Sequence, residues 1–412
     1  MLRLFRQRNF SLFWSGMTVS LLGDGIYFVA IAWLVYDLSN SPASLALVGV
    51  AWTVPQLACL LFAGAVTDRL DRRRVLVAAN LVGGLAIGAI AALTLAGWVQ
   101  LWHVWALVVV YGVSVAFFIP AAGAIVPEIV PEELLVEANA LRQFIRPLTL
   151  RLLGPALGGV LVASFGTGQA LLLDALSFLV AAGTLLLLRV APRPREESDG
   201  AERSLLREMG EGLRFVRGQR WLWVSVAAMA LWLLIYVGPM EVLIPYLVKN
   251  EIGGGAQSLG FVFAAGGIGA MVSSVLVGRY GTRGESLALA YTVWAASSFA
   301  LATIALAATV WQAMLSAFCT FALVTAGDII WVTRLQKRVP GELLGRVSSL
   351  DWLVSIALVP ASFALVGPPA GAVGAGVTLF VAGTVGGALV LAFLPLAVAR
   401  PRRTAQAALA DA

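Results

Sequence analysis

The stretch Gly64-Ala-Val-Thr-Asp-Arg-Leu-Asp-Arg-Arg-Arg74 places a charged segment between two long apolar runs of the sequence. This arrangement predicts a tight loop where two membrane-spanning helices reach water. A glycine lets neighbouring backbones approach closely, and an acid beside arginines at helix ends can hold a water-facing seam shut. We therefore expect a gate at this loop, formed by Gly64, Asp68, Arg69, Arg72 and Arg73. The alternative is that the arginines only fix the orientation of the helices.

The composition of the whole chain is that of a membrane protein. Of the 412 residues, 60% are hydrophobic and only 12% are charged, and the mean hydropathy is +0.91. A helix needs about 20 apolar residues to cross a bilayer, whereas a barrel strand needs about half as many. The sequence therefore predicts an all-α integral membrane protein with twelve spanning helices. The predicted runs are 11–38, 44–67, 75–96, 101–126, 142–164, 169–189, 221–248, 257–278, 285–307, 311–335, 346–367 and 371–398.

The basic residues predict the orientation of these helices. If the N-terminus is cytoplasmic, every lysine and arginine except Lys249 falls on the cytoplasmic side. We therefore expect both termini in the cytoplasm and a multi-pass protein of a bacterial plasma membrane. The net charge of +6 then reflects topology, and no nucleic-acid partner is expected. The first apolar run is too long for a signal peptide and is expected to remain as an anchor.

A repeated phrase divides the chain into related halves. Val130-Pro-Glu-Glu-Leu-Leu135 recurs as Val339-Pro-Gly-Glu-Leu-Leu344, and each copy follows the fourth apolar run of its half. A repeat in register with the topology predicts two pseudo-symmetric six-helix bundles, over residues 1–189 and 221–412.

The linker between the halves, residues 190–220, is polar. Its second part carries an apolar stripe opposite a basic one, which predicts an amphipathic helix on the inner membrane surface. The stripes are Leu206, Met209, Leu213 and Val216, and Arg207, Arg214 and Arg217. The alternative is a regulatory docking site.

Asp24 is the first candidate functional residue, because it falls near the middle of the first run, where an unpaired charge is costly. Tyr27 and Phe28 share its helical face at helix spacing, which suits binding of a cationic or amphipathic ligand. The alternative is that Asp24 bonds to backbone at a packing site beside Gly23 and Gly25.

Further candidates come from acids and aromatic residues in the other runs. Glu241 is either a proton or substrate site or a packing residue of an outer gate. Asp328 is either a proton site or the partner of Arg334, and Asp174 and Asp351 are expected to be structural. The remaining residues expected to line a substrate cavity are Phe117, Phe118, Trp232, Tyr236 and Trp331. No cluster has metal-ligand spacing, and no phosphate-binding loop or esterase elbow appears.

The pattern Gly-x-x-x-Asp-Arg-x-x-Arg-Arg at residues 64–73 resembles the signature loop of the major facilitator superfamily, which joins the second and third helices of those secondary transporters. Other phrases resemble its drug-efflux branch, which includes macrolide efflux proteins and the enterobactin exporter. These phrases are Gly23-Asp24, Trp33-Leu-Val-Tyr36, residues 127–141, Asp174-Ala-Leu-Ser-Phe178 and Gly345-Arg-Val347.

Two departures from the branch concern the fourth and fifth helices. Leu153-Gly-Pro-Ala-Leu-Gly-Gly159 matches the glycine-proline signature of exporters only in part, with Leu141 and Leu150 in place of two glycines. Many drug–proton antiporters carry an arginine in the fourth helix, and residues 107–120 contain no basic residue. Coupling is therefore expected to depend on acids alone.

The resemblance implies a function. It implies proton-coupled export of hydrophobic or amphipathic small molecules, such as drugs or secondary metabolites, by alternating access between two bundles. The alternatives are a lipid or lysolipid translocator, or a siderophore exporter, on the same fold. We expect a monomer that is not an enzyme, that uses the proton gradient and no cofactor, and whose partners are its substrate and the bilayer.

Overall fold

The computed structural model describes residues 4–189, 201–280 and 286–398, and within these ranges it contains helices and no strands. The first half contains α1 Arg8–Leu38, α2 Pro42–Arg69, α3 Arg72–Leu95, α4 Leu101–Ala124, α5 Val126–Ile129, α6 Leu135–Arg146, α7 Gly154–Phe165 and α8 Thr167–Leu186. The linker forms α9, Ala201–Gly218. The second half contains α10 Arg220–Asn250, α11 Ala256–Tyr280, α12 Leu287–Ile304, α13 Val310–Arg338, α14 Gly341–Ala357, α15 Val359–Val373 and α16 Ala375–Val398.

Within the described residues, twelve helical segments are long and apolar enough to cross a membrane, and each lies on one of the predicted runs. The prediction of twelve spans is therefore confirmed, with ends that differ by a few residues. The fifth span is composite, because α6 continues through a π-helical segment, Pro147–Leu153, into α7. The eleventh span is α14 followed by α15. The protein is thus a multi-pass membrane protein.

Polar residues at the ends of the spans fix where the helices begin. The carboxylate of Asp71 accepts hydrogen bonds from the backbone N–H groups of Arg73 and Arg74, at 2.9 and 3.3 Å, and so begins α3. Thr309 and Gln312 form a reciprocal capping box at the start of α13. These caps satisfy backbone donors that the first turn of a helix leaves unpaired.

The repeated phrase has the same backbone conformation in both halves. Val130 and Val339 end their helices in extended conformation, with ψ of 131° at each. Pro131 and Pro340 follow with φ of −56° and −53°, and each carbonyl accepts a 2.9 Å hydrogen bond from the residue three positions on. The repeat is therefore structural as well as sequential.

The same helix pairs pack together in each half. In the first half, α8 packs against α1 and α3, and α4 packs against α2 and α3. In the second half, α16 packs against α10 and α12, and α13 packs against α11 and α12. If the twelve spans are numbered in chain order, each pair in the second half corresponds to a pair in the first half with six added to both numbers. The fold is therefore two pseudo-symmetric six-helix bundles.

The linker helix α9 packs against α14 and α10 rather than lying free. Its Glu211 carboxylate lies 2.7 Å from the Arg346 guanidinium of α14, and Val216 is buried. The side chains of Leu206, Arg207 and Met209 lie outside the described residues. Below, the membrane side that carries the start of α1 and the linker is called the linker end, and the opposite side is called the far end.

Candidate transport site

The two bundles are tied together at the far end through α1 and α10. The Tyr36 hydroxyl donates a 2.6 Å hydrogen bond to the carbonyl oxygen of Val242, across the bundle interface. The carboxylate of Asp37, the next residue of α1, contacts the ammonium of Lys249, which lies about two helical turns beyond Val242 on α10. The side chains of Asn40 and Asn250 are hydrogen-bonded at 2.9 Å. Polar contacts between the bundles therefore close this end.

Glycines bring the bundles into close backbone contact in the far half. A β-carbon at Gly159 of α7 would lie 2.9 Å from the Cα of Gly260 and 2.7 Å from the carbonyl oxygen of Ala256 on α11. On the other side of the interface, a β-carbon at Gly49 of α2 would lie 2.2 Å from the ring of Phe363 on α15. Side chains larger than hydrogen do not fit at these two positions, so the halves are in close contact on both sides of the interface in the far half.

Toward the linker end the bundles diverge. The segments α5, α6 and α14 make their main contacts within their own halves, whereas the extensive contacts between halves involve α1, α2, α7 and the π segment with α10, α11 and α15. From this distribution of contacts we infer a space between the bundles that opens to the linker end and is closed at the far end.

The arginines of the opening stretch anchor neighbouring helices of their own bundle. Arg72 donates to the carbonyl oxygen of Ala124, at the end of α4, and pairs with Glu128, both at 2.7 Å. Arg73 donates to the carbonyl oxygen of Leu186, at the end of α8. Cations there complement the negative ends of the helix dipoles.

The predicted contact across the seam is not made by the described members of the gate in this conformation. The close approach expected at Gly64 is absent, because no described atom lies within 4 Å of its β-carbon position. The side chains of Asp68 and Arg69 lie outside the described residues. The physical reason is that the halves are apart at this end, so the loop has no opposite surface to meet.

Asp24 faces the centre of the first bundle from α1. Its carboxylate accepts a 2.8 Å hydrogen bond from the Tyr111 hydroxyl of α4. The Tyr27 ring packs on the Tyr111 ring at 5.3 Å, and Phe28 packs edge-on against Trp52 at 5.9 Å. The structure thus brings the predicted residues of α1 together with two aromatic side chains that the sequence did not indicate.

Asp174 of α8 lies behind the same site. Its side chain is 0% exposed, and one carboxylate oxygen is 3.4 Å from the Ser177 hydroxyl. The second oxygen has no hydrogen-bond partner among the described residues. A β-carbon on Gly23 would lie 2.5 Å from Asp174, so the glycine beside Asp24 makes room for a second acid.

Glu241 lies at the interface between the bundles, opposite an arginine of the fifth span. Its carboxylate is 3.5 Å from the Arg151 guanidinium, and the two side chains are 24% and 43% exposed. Arg151 lies in the π-helical segment, and its guanidinium also stands 5.3 Å above the Phe321 ring of α13. The fifth span thus places a cation at mid-depth beside one of the candidate acids, and the expectation that coupling depends on acids alone stays a prediction.

The other candidates of the second bundle form a packed aromatic cluster. Trp232 is 1% exposed and donates to the Ser298 hydroxyl at 2.6 Å, so it packs inside the bundle rather than on a cavity surface in this conformation. The Tyr236 hydroxyl is 3.3 Å from that of Ser297, and Trp331 donates to Asp351 at 3.0 Å.

Asp328 borders this cluster. Its carboxylate accepts a 3.1 Å hydrogen bond from the Trp294 indole, and the side chain is exposed. Arg334 lies over the Trp221 ring at 4.8 Å. In the first bundle, Phe117 and Phe118 pack against the apolar cluster near the linker end, beside Phe10 and Trp14.

The comparisons with known proteins agree with this architecture. Residues 2–410 match the sequence model of the family described as transmembrane secretion effector. The chain belongs to this family of the major facilitator superfamily. The protein is therefore a transporter and not an enzyme.

Relatives of the transporter carry efflux names. It is 28% identical over 367 residues to the multidrug efflux pump Tap of Mycolicibacterium fortuitum, covering 85% of this chain and 87% of Tap. It is 21% identical over 354 residues to macrolide efflux protein A of Streptococcus pyogenes, covering 85% of this chain and 87% of that protein.

Solved structures share the fold of the transporter. A bacterial homologue of the iron transporter ferroportin, in its inward-facing state, aligns with TM-score 0.69 and 16% identity over 97% of this chain and 100% of that one. The nucleoside transporter NupG aligns with TM-score 0.68 and 11% identity over 93% of this chain and 99% of that one. At such identities the likeness shows the fold alone.

The chemistry available to the transporter lies in charged side chains at membrane depth. Arg146, Arg151, Glu241 and Asp328 all expose surface although their helices cross the membrane. Exposure of such groups to lipid is costly, so they mark a water-accessible space between the bundles. Acids there can exchange protons or pair with a cation. Within the described part of the chain, no group of three or more histidine, cysteine, aspartate or glutamate side chains could hold a metal ion.

Among the site residues that the sequence analysis did not single out, Arg151 carried a usable signal. Arg151 lies three residues before the Gly154-Pro155 pair, inside a long apolar run, so its depth could be counted from the sequence. Asp174 was expected to be structural, and its place behind Asp24 was not predicted. Tyr111 carried no such signal, because tyrosine is common in spanning helices.

Proposed function

We propose that the protein exports hydrophobic or amphipathic small molecules, including drugs, from the cytoplasm across a bacterial plasma membrane. The observation that carries the proposal is the space between the bundles, which opens to the linker end, is closed at the far end, and exposes acids at mid-depth. The asymmetry of lysines and arginines supports a cytoplasmic linker end, with both termini on that side. The efflux names of its relatives support export of drugs.

The transport cycle is alternating access. The substrate enters the cytoplasmic opening, the bundles rock, and the contacts at the far end separate while the linker end closes. The loop at residues 64–74 then meets the opposite half, where its acid and arginines form the gate. The transporter acts as a monomer in the bilayer, without a cofactor.

Proton antiport supplies the energy in this proposal. Asp24, Glu241 and Asp328 are the candidate proton carriers. A charged carboxylate is less favourable when it is sealed from water than when it faces an open cavity, so protonation shifts the balance between the two conformations. The proton and the substrate bind in alternate halves of the cycle. The aromatic rings around Asp24 suit an amphipathic substrate.

Efflux from intact bacteria tests the function. Cells that express the protein should expel fluorescent lipophilic dyes faster than cells with an empty vector, and a protonophore should abolish the difference. Faster movement of labelled lysolipid in liposomes, without dye efflux, would replace drug export by lipid translocation. Equal retention of every dye and every lipid probe in both cell types would refute the proposal.

Asp24→Asn tests the proton pathway. We expect this variant to reach the membrane in normal amount and to lose proton-coupled export, because the amide keeps the shape of the acid but carries no proton between states. The measurement is dye efflux driven by an imposed pH gradient in membrane vesicles. Undiminished, pH-dependent export by the variant would remove Asp24 from the mechanism.

A further inference from the structure

Glu241 and its surroundings have the features of a cation-binding site that the Arg151 side chain of the same protein occupies. The guanidinium and the carboxylate come from different bundles, on the fifth span and on α10. The guanidinium also lies over the ring of Phe321, on α13. A carboxylate beside an aromatic face is the combination that recognises organic cations.

The contact is loose. The nitrogen and oxygen are 3.5 Å apart, which is long for a charge-assisted hydrogen bond, and both side chains reach the space between the bundles. A part-exposed ion pair without close hydrogen bonding contributes little net free energy. Another cation can therefore take the place of the guanidinium at modest cost.

The surroundings favour a lipophilic cation as the visitor. The Phe321 ring already accepts a cation on its face, with the Arg151 guanidinium 5.3 Å from the ring centre. An anionic visitor would instead have to displace Glu241 from Arg151, and it would gain nothing from a ring face that bears partial negative charge.

We propose that Arg151 is a built-in competitor for the cationic group of the substrate, and that Glu241 and Phe321 bind that group when Arg151 leaves. The proposal rests on the proposed export function and names its substrate class, lipophilic organic cations. The backbone of Arg151 packs on Gly267 of α11, but its guanidinium joins the two bundles only while it occupies the site. Substrate binding therefore also releases one contact that holds the far half closed.

The test is a double-mutant cycle on binding, measured with the purified full chain in nanodiscs at one fixed pH and without any gradient. The probe is radiolabelled tetraphenylphosphonium, and triphenylphosphine oxide serves as a neutral compound of similar shape. The variants are Arg151→Gln, Glu241→Gln and the double variant. Arg220→Gln is the matched control, because it removes the same charge at an exposed position at the start of α10.

Arg151→Gln should bind tetraphenylphosphonium about two- to fivefold more tightly than the unaltered protein, the range for loss of a weak competing pair. Glu241→Gln should bind it about tenfold more weakly. In the double variant the gain from removing Arg151 should vanish, because the Glu241 carboxylate for which Arg151 and the cation compete is also absent. Triphenylphosphine oxide should bind all variants alike, and Arg220→Gln should match the unaltered protein.

Several results would overturn the proposal. They are unchanged or weaker cation binding by Arg151→Gln, a gain that persists without Glu241, equal gains for the neutral compound, or absence of cation binding altogether. Tighter binding of tetraphenylborate by Glu241→Gln, without loss of the cation, would assign the site to anions and also overturn it. If Arg151→Gln does not fold, full cation affinity in Glu241→Gln decides against the proposal.

This binding experiment separates the two proposals. If the double-mutant cycle shows coupling between Arg151 and Glu241 but the protein exports nothing from cells, the export function is refuted and the cation site stands. If the protein exports lipophilic cations but the effects of Arg151→Gln and Glu241→Gln on cation binding simply add, the export function stands and the role of Arg151 is refuted.

Discussion

The Asp24 carboxylate is held by a hydroxyl on another helix, since Tyr111 of α4 donates to it at 2.8 Å. This hydrogen bond fixes the direction of the carboxylate at the centre of the first bundle. A hydrogen bond to a charged group contributes about 1.5–3 kcal/mol, more than one between neutral groups. The orientation of Asp24 therefore depends on a residue that is neither charged nor near it in sequence.

Tyr111→Phe should lower export. The variant keeps the ring packed on Tyr27 but removes the donor to Asp24, so we expect kcat/KM for dye export to fall by about tenfold, corresponding to roughly 1.4 kcal/mol. The measurement is initial efflux rate against dye concentration in vesicles. The fold should persist, because the ring and its contacts remain.

Tyr291→Phe is the matched control for this change. It removes a hydroxyl that donates to Ser225 at 3.0 Å, from a ring equally buried in the second bundle. We expect its export to stay within about twofold of normal. Equal losses in both tyrosine variants would show that buried hydroxyls act only through stability, and that Tyr111 has no special role.

At the scale of residues, the sequence located the candidates but not their partners. Asp24 could be found because an acid in an apolar run is costly wherever the run crosses the membrane. Its partner Tyr111 could not, because the rotation of α4 about its own axis decides which residue faces α1. The pairing of Glu241 with Arg151 depends in the same way on how the two bundles meet.

At the scale of helices, the decisive contact lies between α7 and α11, where two glycines face each other. A β-carbon on Gly159 would come 2.9 Å from the Cα of Gly260, closer than packed carbon atoms approach. Both atoms belong to the backbone, so no side chain can rotate away. An added methyl group must move one helix against the other.

Gly159→Ala should open the far end. Overpacking of this kind costs about 1–3 kcal/mol, and it acts only on the conformation in which α7 and α11 touch. The population of molecules open at the far end should therefore rise. The measurement is the maleimide labelling rate of Val248→Cys, a residue buried at the far end, in a chain with Cys59→Ala and Cys319→Ala.

Gly183→Ala on α8 controls for the effect of alanine itself. No described atom lies within 4 Å of its β-carbon position, so the methyl group meets open space. We expect its labelling rate to equal that of the parent. Slower or unchanged labelling in Gly159→Ala would contradict the view that the glycine contact stabilises the closed far end.

The elements themselves were predictable, with two exceptions. The twelve apolar runs form twelve spans because a segment of this length and composition can hydrogen-bond all of its backbone N–H and C=O groups in lipid only as a helix. The π-helical segment Pro147–Leu153 was not foreseen, since one extra residue per turn leaves no trace in hydropathy. The linker pattern indicated α9, but its packing on α14 involves an ion pair that periodicity does not show.

At the scale of the whole molecule, the repeat determined the architecture and left the conformation open. Val130 and Val339 occupy equivalent places in two bundles that use the same helix pairs. Which end is closed depends on a small free-energy difference between two arrangements of these bundles. A single sequence must encode both arrangements, so hydropathy and motifs do not distinguish them.

The closed far end gives the last prediction, because alternating access requires that it open. Asp37 and Lys249 face each other there from opposite bundles. In a chain with Cys59→Ala and Cys319→Ala, Asp37→Cys and Lys249→Cys should be joined by a short reducible bis-methanethiosulfonate reagent. We expect the joined protein to stop exporting dye and to regain export after reduction, since the bond prevents the bundles from rocking.

The single-cysteine chains control for loss of the ion pair and for reaction with the reagent. Each lacks one member of the pair but cannot be joined, so the reagent should leave its export unchanged. Loss of export in the double variant alone would therefore come from the bond between the bundles. Full export by protein shown by mass spectrometry to be joined would mean that substrates leave without separation of α1 and α10, which alternating access by rocking bundles does not allow.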